Sequence, residues 1–225
     1  MLDAPADDPG RLALDRAVAD AVVARVASGA RGRIDADAIA LRVLLTGVPP
    51  VARPAVRALL GRIEATVAPP LTVHGPLSRA LAADRFGMTF EVAVDTAGAL
   101  AAAADGRRAL IDLDGAWWGR LLATPGLRVV LALPDDAAGQ PRALMISREP
   151  SGPTGDDRTF WVTDSRIRDD AILAALGAAG LAAQPPVVQG GLKLFALAGY
   201  VQANDPRLAD LPGALSGVIG AAPVF

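Results

Sequence analysis

The chain has 225 residues and a formal net charge of −2, with 22 basic and 24 acidic side chains. It contains one histidine, one lysine and no cysteine. This composition excludes disulfides and thiolate metal sites, and any catalyst must rely on carboxylates, hydroxyls and arginines. The balanced charge, with arginines spread among aspartates, argues against a nucleic-acid-binding protein.

The first third of the chain predicts three helices, because apolar residues recur there at helical spacing. Asp35 is placed to cap the second helix, which ends at Gly47. Pro54 lies near the start of the third helix, and Pro69-Pro70 ends it. Residues 1–70 are therefore expected to form a short helical unit that packs on the rest of the chain or on a second copy.

Residues 71–150 alternate between β-rich and helical patterns. The β-rich runs predict strands at 71–74, 90–94, 109–113, 128–133 and 143–147. The helical runs are 78–86, 97–104 and 117–122. Such alternation predicts an α/β layer with a mostly parallel sheet.

Residues 151–225 predict a third unit of the β-α-β-β-α-β type. The strand candidates are 159–163, 186–188, 192–201 and 218–224, and the helix candidates are 170–177 and 205–215. This order is that of a ferredoxin-like unit. The expected fold class is thus mixed, α+β and α/β, in three units: 1–70, 71–150 and 151–225.

The membrane question arises because mean hydropathy is +0.36. The longest apolar stretches are short and interrupted, whereas a spanning helix needs about 20 apolar residues. The expectation is a cytoplasmic protein with no membrane span, no nucleic-acid partner, no metal and no cofactor.

Three stretches in the middle unit resemble the first lobe of prephenate dehydratases. They are Gly75-Pro-Leu-Ser78, Ala82-Ala-Asp-Arg-Phe-Gly87 and Ile111-Asp-Leu-Asp-Gly115. The last unit is similar to the ACT regulatory domain at 192–201, 205–208 and 218–223. Residues 56–74 are similar to the last helix of all-helical chorismate mutases and the strand after it. The resemblance implies a mutase-like helical unit, a periplasmic-binding-like dehydratase lobe and an ACT-like domain.

Several positions depart from the patterns of these families. The first two helices contain no lysine, and Pro69-Pro70 stands where the mutases place a glutamine. The dehydratase Thr-Arg-Phe motif is replaced by Arg158-Thr159-Phe160, and a shift of one residue in a strand turns each side chain to the other face.

The resemblance and its departures together imply a protein of aromatic amino-acid biosynthesis with weak or absent activity of the usual kind. It would bind chorismate, prephenate or an aromatic amino acid such as phenylalanine. One alternative is an active mutase or dehydratase with relocated catalytic residues. The other is a non-catalytic assembly or regulatory partner of an aromatic-pathway enzyme. A small-molecule carboxylate ligand and a homodimer are the expected partners.

The tryptophan pair at Trp117 and Trp118 suggests an aromatic wall for a ring-bearing ligand. Asp112 and Asp114 lie beside it at the end of a strand, where α/β folds bind ligands. The alternative is that one tryptophan belongs to the core and the other to an interface.

Arg158 is a candidate to clamp a ligand carboxylate in a bidentate fork, or it pairs with a neighbouring aspartate at the surface. Ser78 and His74 are further ligand-binding candidates, although a lone histidine is commonly structural. The catalytic candidates are Thr159, Arg158 and Asp114, and for Thr159 the alternative is packing.

Overall fold

The computed structural model describes residues 9–29, 33–137 and 139–225, which form one nine-stranded mixed sheet with helices on both faces. The α-helices are α1 (Pro9–Ser28), α2 (Ile34–Thr46), α3 (Arg53–Val67), α4 (Pro76–Phe86), α5 (Thr96–Ala104) and α6 (Asp169–Ala178). Short 3-10 helices span Pro50–Ala52, Trp117–Ala123 and Pro206–Leu208. The strands are β1 (Leu71–His74), β2 (Glu91–Val92), β3 (Arg108–Asp112), β4 (Arg128–Leu133), β5 (Ala143–Ser147), β6 (Asp157–Thr163), β7 (Val187–Gln189), β8 (Leu192–Ala198) and β9 (Ser216–Pro223).

The three predicted N-terminal helices are confirmed as α1, α2 and α3. Pro54 lies in the first turn of α3, where backbone N–H groups have no partner within the helix. The N–H that proline lacks therefore costs no helical hydrogen bond. The prediction that Asp35 caps α2 was wrong, since Arg33 is the N-cap residue. The Asp35 carboxylate instead accepts a hydrogen bond from the backbone N of Gly152, at 3.1 Å. This bond ties the start of α2 to the loop before β6.

The strand order is β2-β1-β3-β5-β4-β9-β6-β8-β7. β1 pairs in parallel with β2 and β3, whereas β5 runs antiparallel to both β3 and β4. The prediction of a mostly parallel sheet over residues 71–150 was therefore wrong. β4 and β5 are joined by residues 134–142, a connection without a described helix. Parallel neighbours need a crossover of roughly a dozen residues or more, so this short connection gives an antiparallel pair.

The last unit keeps its predicted strands and its first helix but not its second helix. The helix predicted at 205–215 is wrong, because only the 3-10 helix Pro206–Leu208 forms there. Pro206 and Pro212 have no backbone N–H to donate, and Gly213 adopts a φ of 143° that no helix contains. The β-α-β-β-α-β succession is therefore incomplete, and the ferredoxin-like, ACT-like arrangement is not confirmed.

Strand β9 joins the predicted second and third units in one sheet, because it lies between β4 and β6. Gly220 of β9 pairs with Val129 of β4. A Cβ added at Gly220 would lie 2.3 Å from the carbonyl oxygen of Val129, so only glycine allows this approach. The predicted division at residue 150 thus falls inside a continuous sheet.

The sheet buries both of its faces. We call the face covered by α1–α4 and α6 the helical face, and the face covered by α5 and Trp117–Ala123 the α5 face. Phe160 of β6 packs on the α5 face, and its neighbour Trp161 packs on the helical face against α6. Among the described residues, no helix is both long and apolar enough to cross a membrane.

Candidate functional site

A cavity of about 300 Å³ lies on the helical face, between helices α1–α3 and the sheet. On the sheet side it is lined by Val130, Leu131 and Met145, and on the helix side by residues that include Leu41 and Leu60. Exposed alanines of α1 and α2 form its mouth, at positions Ala24, Ala36 and Ala40. The wall is thus mainly aliphatic, which suits a ligand with an apolar body.

Arg108 brings charge to one end of this cavity. It opens β3 and is buried, and its guanidinium binds Glu149 through two bonds, Nε to Oε2 at 2.5 Å and Nη2 to Oε1 at 3.0 Å. A third bond goes to the Glu64 carboxylate on α3. Burial alone would lower the pKa of Arg108, but Glu64 and Glu149 outweigh it and raise that pKa. Burial likewise raises the pKa of Glu64, and Arg108 and Arg85 outweigh it, so the Glu64 pKa is lowered. These groups therefore stay charged.

A second ion-pair group involves the lining residue Arg85. Asp135 accepts bonds from Arg85 Nε at 3.0 Å and from Arg57 Nη1 at 2.7 Å. Helix α4 packs closely on α3 where Arg85 lies against Gly61. A Cβ added at Gly61 would lie 2.1 Å from the Arg85 carbonyl oxygen. The guanidinium of Arg85 is therefore already paired and held in place.

The third charged group at the cavity is different, because its hydrogen bonding is incomplete. Arg25 Nε and Asp37 Oδ2 lie 3.0 Å apart, yet both are buried and neither makes a hydrogen bond, since the N–H does not point at the oxygen. Arg25 Nη1 donates to Ser28 Oγ at 3.1 Å and to the Gly29 carbonyl at 3.0 Å. Burial raises the pKa of Asp37 to about 6, although Arg25 lowers it. The cavity thus presents an ion pair in which one donor and one acceptor make no hydrogen bond.

Of the residues predicted at the ends of β1 and β3, Asp112 binds the backbone at Ser78, and His74 contacts a different residue. The Asp112 carboxylate accepts from the backbone N of Leu77 at 3.1 Å and of Ser78, so it fills the N-terminus of α4. A Cβ at Gly75 would lie 2.3 Å from this carboxyl group, which leaves no room between them. His74 Nδ1 lies 3.3 Å from the Ala93 carbonyl oxygen.

The two predicted wall tryptophans are buried in the α5-face core. Trp117 Nε1 donates to the Asp112 carbonyl at 2.7 Å, and Trp118 is fully buried with its Nε1 unpaired. Asp114 is exposed. None of these residues lines the cavity between α1–α3 and the sheet.

Arg158 and Thr159 lie on β6, separated from β3 by three strands. Thr159 is fully buried, and its Oγ1 donates to the Gly199 carbonyl at 2.7 Å and accepts from the Val201 N at 2.9 Å. The structure therefore does not gather the predicted residues in one place. The predicted homodimer and cytoplasmic location stay predictions.

The cavity residues that sequence reasoning missed are Arg25, Asp37, Glu64 and Arg108. Two signals pointed to them. Arg108 immediately precedes the predicted strand 109–113, and Glu64 lies within the third predicted helix. The signal at Arg108 was weak, because arginines are spread along the whole chain.

No protein-family model matches the chain, and no curated protein matches it. Among the solved structures that resemble it is one titled "GqqA- a novel type of quorum quenching acylases". It shares 20% sequence identity, with a TM-score of 0.48, over 69% of this chain and 95% of that chain. A likeness at this level assigns no activity to the present chain.

The predicted kinship with chorismate mutases and prephenate dehydratases is wrong. One structural neighbour is described as an acylase, and no family model or curated protein supports a role in aromatic amino-acid biosynthesis. The two alternatives, an active mutase or dehydratase and a non-catalytic partner of an aromatic-pathway enzyme, rest on the same kinship and are wrong with it. The short motifs misled because glycine and proline at helix starts serve local geometry in many folds. Gly75, for example, adopts a φ of 102° beside Asp112.

Proposed function

We propose that the protein binds an uncharged, mainly apolar small molecule with one amide group, in the cavity between α1–α3 and the sheet. The Arg25–Asp37 contact carries this proposal, because two buried polar atoms stand at an aliphatic wall without hydrogen bonds. A buried polar group left unpaired costs about 1–3 kcal/mol, which a ligand that pairs it recovers.

An amide fits these two atoms because it holds an acceptor and a donor side by side. Its carbonyl oxygen accepts from the Arg25 Nε–H, and its N–H donates to Asp37 Oδ2. An ester offers no donor, and a carboxylate would be repelled by Asp37. The other lining arginines, Arg85 and Arg108, are already paired with carboxylates. A charged ligand would therefore find no free counter-charge in this cavity.

The binding test uses N-phenyl-1-naphthylamine, an uncharged dye whose fluorescence rises in apolar surroundings, with octanamide, methyl octanoate and octanoate as competitors. Octanamide is expected to displace the dye at roughly tenfold lower concentration than methyl octanoate, because one hydrogen bond to a buried group is worth about 1.4 kcal/mol. Octanoate is expected to be the weakest competitor. Equal displacement by all three would refute the proposal.

Two pairs of variants locate the site. Ala38→Leu fills the cavity from α2 and should weaken dye binding at least about tenfold, whereas the same change at the exposed Ala174 of α6 should not. Asp37→Ala should abolish the preference for octanamide over methyl octanoate, and Asp37→Asn, which keeps an acceptor, should retain most of it.

Hydrolysis of the bound amide is a second candidate function, favoured by the raised pKa of Asp37. A carboxylate with a pKa of about 6 is ionised at neutral pH and still basic enough to take a proton from water. The water oxygen would attack the carbonyl carbon, Arg25 Nε–H would stabilise the oxyanion, and the C–N bond would break as Asp37 returns the proton to nitrogen. The test is release of octanoate and ammonia from octanamide. Asp37→Asn should abolish release while retaining binding, and release unchanged in this variant would rule this candidate out.

A further inference from the structure

A second cavity, of about 270 Å³, opens on the α5 face beside β6 and β8, and one of its lining residues is Arg158. Only 7% of the Arg158 surface is exposed. Among the described residues, no hydrogen-bond acceptor binds its guanidinium and no carboxylate oxygen lies within 4.0 Å of it. None of its guanidinium nitrogens is among the fully buried polar atoms that lack a hydrogen bond, so the group reaches the open space of the cavity. The cavity wall therefore presents a guanidinium that makes no hydrogen bond or close ion pair with a described residue.

The other buried arginines show how unusual this is in the described part of the chain. Arg25, Arg85 and Arg108 are each buried to a similar extent, and each has a carboxylate oxygen at 3.0 Å or less. A guanidinium with reduced access to water is stabilised by an acceptor that replaces the lost hydration. A ligand anion would supply at Arg158 what protein carboxylates supply at the other three.

We propose that Arg158 binds the carboxylate of a small molecule with a short apolar tail, in this second cavity. A guanidinium offers two parallel N–H donors to one carboxylate, which gives a bidentate pair. The site does not depend on the amide-binding cavity, which lies on the opposite face of the sheet.

The surrounding acids select a singly charged head group over a doubly charged one. Asp156 lines the cavity and is exposed, and Asp136 acts electrostatically on Arg158. Asp157 is occupied, because its carboxylate accepts from Thr154 N at 2.8 Å and Thr154 Oγ1 at 2.7 Å. Burial lowers the pKa of Arg158, against the raising effect of Asp136 and Asp156, but a guanidinium remains protonated at neutral pH. One cation among several acids suits a carboxylate better than a phosphate dianion.

The apolar tail is assigned from a small neighbouring cavity. It shares Gln184 and Ala196 with the Arg158 cavity, and its wall includes Leu113, Phe160 and Leu194. An alkyl chain that leaves Arg158 along β8 therefore reaches an apolar wall within a few bond lengths. Gln184 lies at the junction of the two cavities, where its side-chain amide could donate to the ligand.

The experiment compares hexanoate, hexan-1-ol and hexyl phosphate by isothermal titration calorimetry on the full chain. Hexanoate should bind at least about tenfold more tightly than either of the others. Arg158→Gln should weaken hexanoate at least about tenfold, and the matched change at the exposed Arg128 should leave it unchanged. Arg158→Lys keeps the positive charge but not the two parallel donors of the guanidinium. Its hexanoate affinity should lie between those of Arg158→Gln and the wild type.

Melting temperatures separate a binding role from a structural one. Arg158→Gln should fold with an unchanged or higher melting temperature, because the change breaks no hydrogen bond or close ion pair among the described residues of the folded protein. Hexanoate should raise the melting temperature of the wild type and not that of the variant. Hexanoate affinity equal in the variant and the wild type would overturn the proposal, as would tighter binding of hexyl phosphate.

Discussion

The two cavities lie on opposite faces of one sheet, and arginines line both. On the helical face, Arg85 and Arg108 bind carboxylates from elements distant in sequence, and Arg25 lies against Asp37. On the α5 face, Arg158 has no such partner. The same residue type therefore forms close ion pairs at one cavity and leaves a guanidinium without a hydrogen bond or close ion pair to a described residue at the other. A lining arginine favours an anionic ligand only where no protein carboxylate already pairs with it, so the presence of an arginine alone does not decide which ligand a cavity favours.

The largest expected loss of unfolding free energy comes from removing Arg108, which is paired with carboxylates on the helical face. Arg108→Met leaves the half-buried carboxylates of Glu64 and Glu149 without their buried cation. Removing one partner of a buried ion pair costs about 3–5 kcal/mol, which urea denaturation would measure. Arg107→Met is the matched control, because Arg107 pairs with the exposed Glu91 and the change should cost less than about 1 kcal/mol. Equal losses in the two variants would mean that the Arg108 network contributes nothing beyond an exposed pair.

A smaller effect is expected from the packing that holds Arg85 in place. Gly61→Ala puts a Cβ 2.1 Å from both the carbonyl oxygen and an Nη of Arg85, so α3 and α4 must separate. Overpacking of this kind costs about 1–3 kcal/mol, measured by the same denaturation. Gly177→Ala in α6 meets nothing within 4 Å and should stabilise the protein by about 0.5–1 kcal/mol. A neutral Gly61→Ala would contradict the close approach of the two helices.

The smallest expected effect concerns Asp37 and depends on pH. The folded protein raises the Asp37 pKa to about 6 from 3.8, so the folded state binds this proton more tightly than the unfolded chain. Stability from this group is therefore present below about pH 4 and lost as the pH rises through about 6. The full shift corresponds to about 3 kcal/mol, and partial exposure reduces it to about 1–2 kcal/mol. Asp37→Asn should gain this stability relative to the wild type between about pH 4 and pH 7. A difference independent of pH would show that Asp37 titrates normally.

The sequence predicted the elements better than their arrangement. The turns of the helical third follow from local signals, such as Pro54 at a helix start and Gly47 at a helix end. The direction of β5 does not, because it depends on which strands become neighbours. The absence of an α-helix at 205–215 could have been predicted from the sequence, because Pro206 and Pro212 both disfavour a helix there.

The candidate sites were harder to predict than the fold. The sequence favoured Trp117 and Asp112 because of their residue types, and both make hydrogen bonds that belong to the core. It also identified Arg158 as a candidate. Only the distances to neighbouring aspartates could distinguish a ligand-binding arginine from one in a surface ion pair. Arg25 and Asp37 are 12 positions apart on different helices, and no local pattern shows that they meet.

The most direct test of the two-cavity account is one crossed binding measurement by calorimetry. Octanamide and hexanoate are titrated into the wild type, Asp37→Ala and Arg158→Gln. The account predicts that Asp37→Ala weakens octanamide about tenfold and spares hexanoate, and that Arg158→Gln does the reverse. Loss of both ligands in either variant, or of neither ligand in both, would contradict it.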